Sequence, residues 1–483
     1  MSEAIRNLSP KPLWNKFADL NAVPRPSKKE QRVIKFMKDF GASLELQTFE
    51  DEVGNVIIKK PATPGMENRK AIVMQSHLDM VHQKNADTVF DFESQGIQMY
   101  VDGDWVRAKG TTLGADNGLG VATIMAILES DTIAHPAIEA LFTIDEETGM
   151  TGAIGLKGGL LEGEILLNLD TEEDDEIGVG CAGGLDITAR GSYRQIAAPN
   201  GQGYRLTVKG LQGGHSGMDI HKGLGNANKL MNRLLAANRE LIHISSIEGG
   251  SLRNAIPRES TATLVVKTEN ISEFVLQMEK TQFELVEEYR LLEPDLTIET
   301  HKIDAPKMVM DLNDQLMFIK TMYASHNGVY RMSPAIEGLV ETSNNIAKIC
   351  VADATLTIEC LTRSSVDSSK EDMATTLTAV FELAGYTVQR SGQYPGWAPN
   401  MDSAILKVLT SLYVSLHGEQ PNVAACHAGL ECGILGQNYP KMDMISFGST
   451  IKGAHSPDER ASISSAQKYW KFVLEILKNI PLK

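Results

Sequence analysis

Residues 137–150 read "AIEALFTIDEETGM". The run up to Ile144 is short and mostly apolar, which predicts a strand buried on both faces. Three adjacent acids, Asp145, Glu146 and Glu147, then follow at its carboxyl end. Carboxylates that close together repel one another, and a bound cation turns that repulsion into attraction.

The neighbouring segments extend the pattern. "NVIIKK" (55–60), "KAIVMQS" (70–76) and "EILLNLD" (164–170) predict further strands, and "NGLGVATIMAILES" (117–130) predicts a helix between them. Two helices are expected earlier, over 10–21 and 28–40, parted by the breaker "VPRPSKKE". Strands alternating with helices indicate an α/β sheet, mixed in direction and flanked by helices. From 187 to 397 the texture shifts to alternating strands such as "YRLTVKG" and "TATLVVK" with amphipathic helices. The α/β pattern returns near 400, with helices over "DSAILKVLTSLYVSLHG" and "AGLECGILGQ", the strand "MDMISFG" and a final helix "SAQKYWKFVLEILKNI". The expected organisation is therefore a discontinuous catalytic domain, 1–186 and 398–483, interrupted by an α+β insert over 187–397. The insert has the look of an approximate internal duplication: "NANKLMNRLLAANRE" and "GGSLRNAIPRESTATLVVK" are followed, in the same order, by "NDQLMFIKTMYASHNG" and "EGLVETSNNIAKICVADATLTIECLTR".

Composition narrows the function classes. At 483 residues the chain exceeds one ordinary core. A net charge of −16 at pH 7 disfavours nucleic acid and anionic membranes as partners. No apolar stretch is long enough to span a bilayer, and the N-terminus lacks the apolar core of a secretory signal. Five cysteines without CxxC spacing point to a reducing compartment. The expected location is the cytoplasm.

Chemistry collects at the strand ends. "IVMQSHLDM" delivers His77 and Asp79, "FTIDEE" delivers Glu146 and Glu147, "EILLNLD" ends in Asp170, and "MISFGSTIKGAHS" leads to His455. "TTLGADNGLG" sets Asp116 in a glycine-rich turn opening a helix. Open α/β sheets bind ligands beyond the carboxyl ends of their strands. Imidazole and carboxylate without thiolate suit Zn2+, Co2+ or Mn2+, and one bridging carboxylate lets five such residues hold two ions about 3.5–4 Å apart. "GVGCAGG" matches G-x-G-x-x-G at Gly178, Gly180 and Gly183. The acidic "TEEDDE" before it and the strand-like "LDITARG" after it argue against a dinucleotide site and for a domain crossover.

Taken in order, "SHLDM", "LGADNG", "DEETG", "NLD" and "GAHSPDE" resemble the cocatalytic metallopeptidases, a family of aminoacylases, carboxypeptidases and cytosolic dipeptidases. "KPATPGMENRK", "GLQGGHSG", "LRNAIPRE" and "HAGLECG" extend the likeness along the whole chain, toward the dipeptidase branch. The resemblance implies two divalent ions, Zn2+ foremost with Co2+ or Mn2+ as alternatives. His77 and Asp170 would bind one, Glu147 and His455 the other, and Asp116 would bridge them. Asp79 would orient His77 from behind. Glu146 would be the general base, taking a proton from the attacking water and giving it to the leaving amine. His215 of the insert, which would act as a lid, would steady the oxyanion; Asn254 and Arg363 would hold the substrate backbone and its terminal carboxylate. Asp145 is expected in the turn or behind the ligands rather than in catalysis; no catalytic task falls to His82, His135, His221 or His427, although His427 in "CHAGLECG" suits substrate contact as well as it suits packing or support of the ligands.

The implied activity is hydrolysis of unblocked dipeptides, Xaa-His substrates such as β-alanyl-histidine included. An N-acyl amino acid amidohydrolase would share the metal site, and a non-catalytic metal-binding protein would need the ligands but no free base. A doubled insert would imitate within one chain the pairing that shorter relatives reach by dimerising; a homodimer stays open.

Overall fold

Strands Ile72–His77 and Ile138–Thr143 are buried at every residue, as is Ile165–Asn168. Such strands need cover on both faces and a place in the middle of a sheet. The computed structural model, which describes residues 2–483, puts them there. The eight-stranded sheet runs Gln47–Glu50, Val56–Lys60, Ile138–Thr143, Ile72–His77, Ile165–Asn168, Asp443–Ser446, Glu176–Cys181, Asn422–Cys426. The four strands from Ile138–Thr143 to Asp443–Ser446 are mutually parallel. Val56–Lys60 and Glu176–Cys181 flank them antiparallel, which makes the sheet mixed. Helix Ala115–Glu129 is buried from Asn117 through Leu128, as a helix apolar all round must be.

The chain divides into two compact units. One takes the residues up to Gly180 with Pro399–Ala425 and Leu430–Lys483; the other takes Cys181–Ala398 and Cys426–Gly429. The expected boundaries lay at 186/187 and 397/398. The first division falls earlier because Glu176–Cys181 pairs in the eight-stranded sheet, whereas Gly183–Ser192 pairs with Thr355–Ser364 and Thr387–Tyr394 in a different one. Gly178, Gly180 and Gly183 all lie in these two strands, and no helix opens on them.

The second unit is built on a nine-stranded antiparallel sheet: Thr297–Ile303, Gly201–Lys209, Ser260–Lys267, Ile242–Gly249, Val340–Ala352, Thr355–Ser364, Gly183–Ser192, Thr387–Tyr394, with Gly328–Met332 also on Val340–Ala352. Helices Ala227–Ala237, Ile271–Tyr289, Leu312–Ala324 and Asp367–Leu383 supply Leu234, Phe274, Phe318 and Phe381 to one core with Leu206, Leu264 and Ile358 of the strands. Each half of the sheet holds four long strands. In both halves the last strand pairs with the first, the first with the third and the third with the second. The halves are not in tandem: Gly183–Ser192 belongs to one half and precedes the whole of the other.

The segment "TGAIGLKGGLL" is helical only over Thr151–Gly155, because continuing through Gly158 and Gly159 would cost backbone entropy. Among the described residues no helix is long and apolar enough to cross a membrane.

Candidate active site

Parallel strands deliver their carboxyl ends to one edge, and the candidate ligands follow there. His77 closes Ile72–His77, Glu146 and Glu147 follow Ile138–Thr143, Asp170 follows Ile165–Asn168, and the loop to His455 leaves Asp443–Ser446. Asp116 arrives at the start of helix Ala115–Glu129, behind Gly114 in the left-handed region at φ 69°. These candidate donors all lie in the first unit.

The donors fall into two triads that share one member. Donor atoms of His77, Asp116 and Asp170 lie within 4.8 Å of one another, and so do those of Asp116, Glu147 and His455. Asp116 turns Oδ1 to His77 Nε2 and Oδ2 to His455 Nε2, at 3.1 Å each. Asp170 Oδ1 is 3.4 Å from His77 Nε2, and Glu147 Oε2 is 3.0 Å from His455 Nε2. A carboxylate with one oxygen toward each cluster is placed to bridge two ions. Glu147 Oε1 is buried without a hydrogen-bond partner, the condition of a ligand atom facing an ion site. The donor set is nitrogen and oxygen only, which suits Zn2+, Co2+ or Mn2+; the residues fit a metal pair.

The three acids of the opening stretch part company here. Asp145 has φ 53° and accepts the Thr148 and Thr151 hydroxyls, so it builds the turn. Glu147 faces His455. Glu146 groups with His77 and Glu147, all donor atoms within 4.8 Å. Desolvation in this pocket pushes its carboxyl well above the usual range, with nearby Asp170, Glu431 and Glu147 adding to the push.

Asp79 has two tasks rather than the one expected. Its Oδ1 lies 3.5 Å from His77 Nδ1, which leaves Nε2 for the site. It also accepts the Glu146 N–H at 3.0 Å and the Glu147 N–H at 3.3 Å, fixing the short helix Glu146–Gly149 on which both acids sit. Ser27 donates to it at 2.8 Å.

Beneath the donors, buried polar side chains run across the parallel strands. Asn168 donates to Gln75, Ser446 donates to Asn168, and Gln75 and Thr143 both donate to Glu431. Glu431 is fully buried, and burial pushes its carboxyl up to about 8. Nothing in "HAGLECG" distinguishes it from a helix-start acid. Gln75 and Asn168 carried a faint signal, as polar residues inside apolar strands.

The second unit gathers the other expected residues. His215 Nδ1 accepts the N–H groups of Gly217 at 3.2 Å and Met218 at 3.0 Å, so Nε2 carries the ring proton. Burial, then Arg363, lowers its pKa to about 4, and the ring is neutral at pH 7. Nε2 lies 3.4 Å from Arg363 Nη2. Two donors facing one another in this way suit an anionic acceptor between them. Arg363 is buried rather than solvated, and Tyr394 accepts from its Nη1 at 2.9 Å. Asn254 is exposed and its carbonyl accepts the Ser216 N–H at 2.8 Å. His427 is buried, 2.8 Å from the Ser343 hydroxyl, and its Nδ1 has no partner.

Fold and donor set together define a metal-dependent hydrolase with its site at the carboxyl edge of a mixed α/β sheet. The chain belongs to peptidase family M20/M25/M40, whose model matches residues 73–479. It is 44% identical to the cytosol non-specific dipeptidase of Escherichia coli (strain K12) over 100% of both chains. It superposes on the aminoacylhistidine dipeptidase of Vibrio alginolyticus with a TM-score of 0.94 at 46% identity, covering 100% of both. The aminopeptidase PepT of Bacillus cereus, at 16% identity and a TM-score of 0.57 over 98% of this chain and 99% of that one, shares the fold.

Proposed function

We propose that this chain hydrolyses the peptide bond of unblocked dipeptides in the cytoplasm, Xaa-His substrates such as β-alanyl-histidine among them, with two divalent ions, foremost Zn2+. The observation that carries the metal assignment is Asp116, with one oxygen toward His77 and the other toward His455. The dipeptide assignment is supported by full-length likeness to two dipeptidases.

In this reading His77 and Asp170 would hold one ion and Glu147 and His455 the other, with Asp116 shared between them. Bound there, the ions would supply a Lewis acid for the scissile carbonyl and lower the pKa of the attacking water. Glu146 accepts that water's proton and returns it to the leaving nitrogen; a carboxyl with a raised pKa is suited to both halves of that transfer. His215, neutral with its proton on Nε2, donates to the developing oxyanion. Arg363 takes the substrate's terminal carboxylate and Asn254 its backbone. The assignment holds for a single chain or a homodimer.

The test is release of amino acids from β-alanyl-histidine and other dipeptides, beside N-acetyl amino acids, before and after exhaustive chelation. Dipeptide cleavage that is lost with the metal and restored by Zn2+, Co2+ or Mn2+ is expected. Faster cleavage of the N-acetyl compounds would make the chain an amidohydrolase, and cleavage that survives chelation would remove the metal mechanism.

A further inference from the structure

Two buried side chains outside the donor set tie its loops together. Glu459, in the same loop as His455, is 2% exposed. Its Oε2 accepts the N–H groups of Leu113 at 2.6 Å and Gly114 at 2.9 Å; its Oε1 accepts those of Ala115 at 2.7 Å and Asp116 at 3.3 Å. The N–H groups at a helix start have no partner within the helix. Residue Gly114, at the N-cap position of Ala115–Glu129, has no side chain to supply one. Glu459 does that work from far along the chain, and in doing so fixes the backbone of Asp116 to the loop of His455.

Arg25 holds the other side. It is 1% exposed. Its Nη1 donates to the carbonyls of Leu78 and Asp79, both at 3.1 Å, directly after His77. Its Nη2 donates to the Gly114 carbonyl at 2.5 Å and to Asn21 Oδ1 at 3.0 Å. The fit is close: a Cβ on Gly114 or on Gly118 would stand 2.6 Å from Nη2. The glycines of "GADNG" therefore make room for this guanidinium as well as for the turn.

We infer that Glu459 and Arg25 are positioning residues that lock the His77, Asp116 and His455 loops into one body, so that the bridging carboxylate is aligned before any ion binds. The reason is geometric. A bridge works only when both oxygens of Asp116 face their clusters at once, and the fold holds that alignment with side chains that touch neither ion nor substrate. The inference rests on the two-metal reading above.

Cobalt titration of the apo-protein, followed by the d–d absorption band and by calorimetry, tests it. Glu459→Asp withdraws the carboxylate by one methylene while keeping its charge; Arg25→Lys keeps the charge but loses the planar fork that spans three carbonyls. Each is expected to weaken uptake of the second cobalt equivalent about 10- to 100-fold, the usual effect of disturbing groups behind the ligands, and to change the band. Leu128→Ala, at the far end of the same helix and 2% exposed, serves as a control that loses stability without touching the site. It should take up both equivalents as the wild type does. Wild-type affinity and spectrum in both Glu459→Asp and Arg25→Lys overturn the inference, as does an equal loss in Leu128→Ala. A wild-type chain that binds fewer than two equivalents overturns the two-metal reading itself, and the inference with it.

Discussion

Glu146 and Glu147 are neighbours on one short helical turn, yet the geometry gives them different surroundings. Glu147 pairs with His455, while Glu146 stands beside His77 and belongs to neither of the donor triads that share Asp116. Glu146→Gln should lower kcat about 10²- to 10⁴-fold, the range for loss of a general acid–base group, while metal content by elemental analysis stays at the wild-type level. Loss of metal together with activity would make Glu146 a ligand instead. His215→Asn should lower kcat about 10²- to 10³-fold, as removal of an oxyanion donor does, with a much smaller change in KM. Arg363→Met should show the opposite split, a raised KM at a kcat close to wild type. Steady-state kinetics on β-alanyl-histidine separates the two.

At the scale of elements, strand ends and the turns beyond them carry the chemistry. Asp79 joins two of these ends, holding the His77 ring and the N–H groups of the Glu146–Gly149 turn. Asp79→Asn replaces one acceptor oxygen with a donor amide facing other donors. It should weaken cobalt affinity about 10- to 100-fold and loosen the turn, read as faster hydrogen exchange at Glu146 and Glu147. Much of this layout was legible in advance, because a strand buried on both faces writes itself as an unbroken apolar run. The candidate donors were legible because His77, Asp170 and the acids of 145–147 follow such runs directly. Arg25 was not: "VPRPSKKE" reads as a helix breaker, and a guanidinium there looks solvated until Leu78, Asp79 and Gly114 fold around it. Glu459 within "GAHSPDE" carries no local sign of its role, since its four N–H partners lie far away in sequence. The strand Asn422–Cys426 is hard to read in sequence for a different reason: "NVAAC" is short, small in side chains and placed at the sheet edge.

At the scale of the whole molecule, the two units should answer to different reagents. Every candidate ligand belongs to the first unit, so a metal that binds only the folded state stabilises that unit. Chelation should speed hydrogen exchange at Leu113–Asp116 and around His77, and leave the core strands of the second unit unchanged. Acid should act on the second unit. His215 and His427 have folded pKa values lowered from 6.5 to about 4 and about 3, in each case by burial first and by Arg363 next. The unfolded chain then binds protons that the folded chain does not, so this stability is present above pH 6.5 and lost as pH falls through about 4 for His215 and about 3 for His427. Exchange around Ser216–Met218 should accelerate across that window, and His427→Gln should flatten the slope.

The expectations for metal and catalysis hang on two ions flanking one carboxylate. Anomalous scattering from crystals of the zinc-loaded protein measures this directly. Two peaks should appear, one among His77, Asp116 and Asp170 and the other among Asp116, Glu147 and His455. A single peak, or zinc bound away from Asp116, would contradict the account.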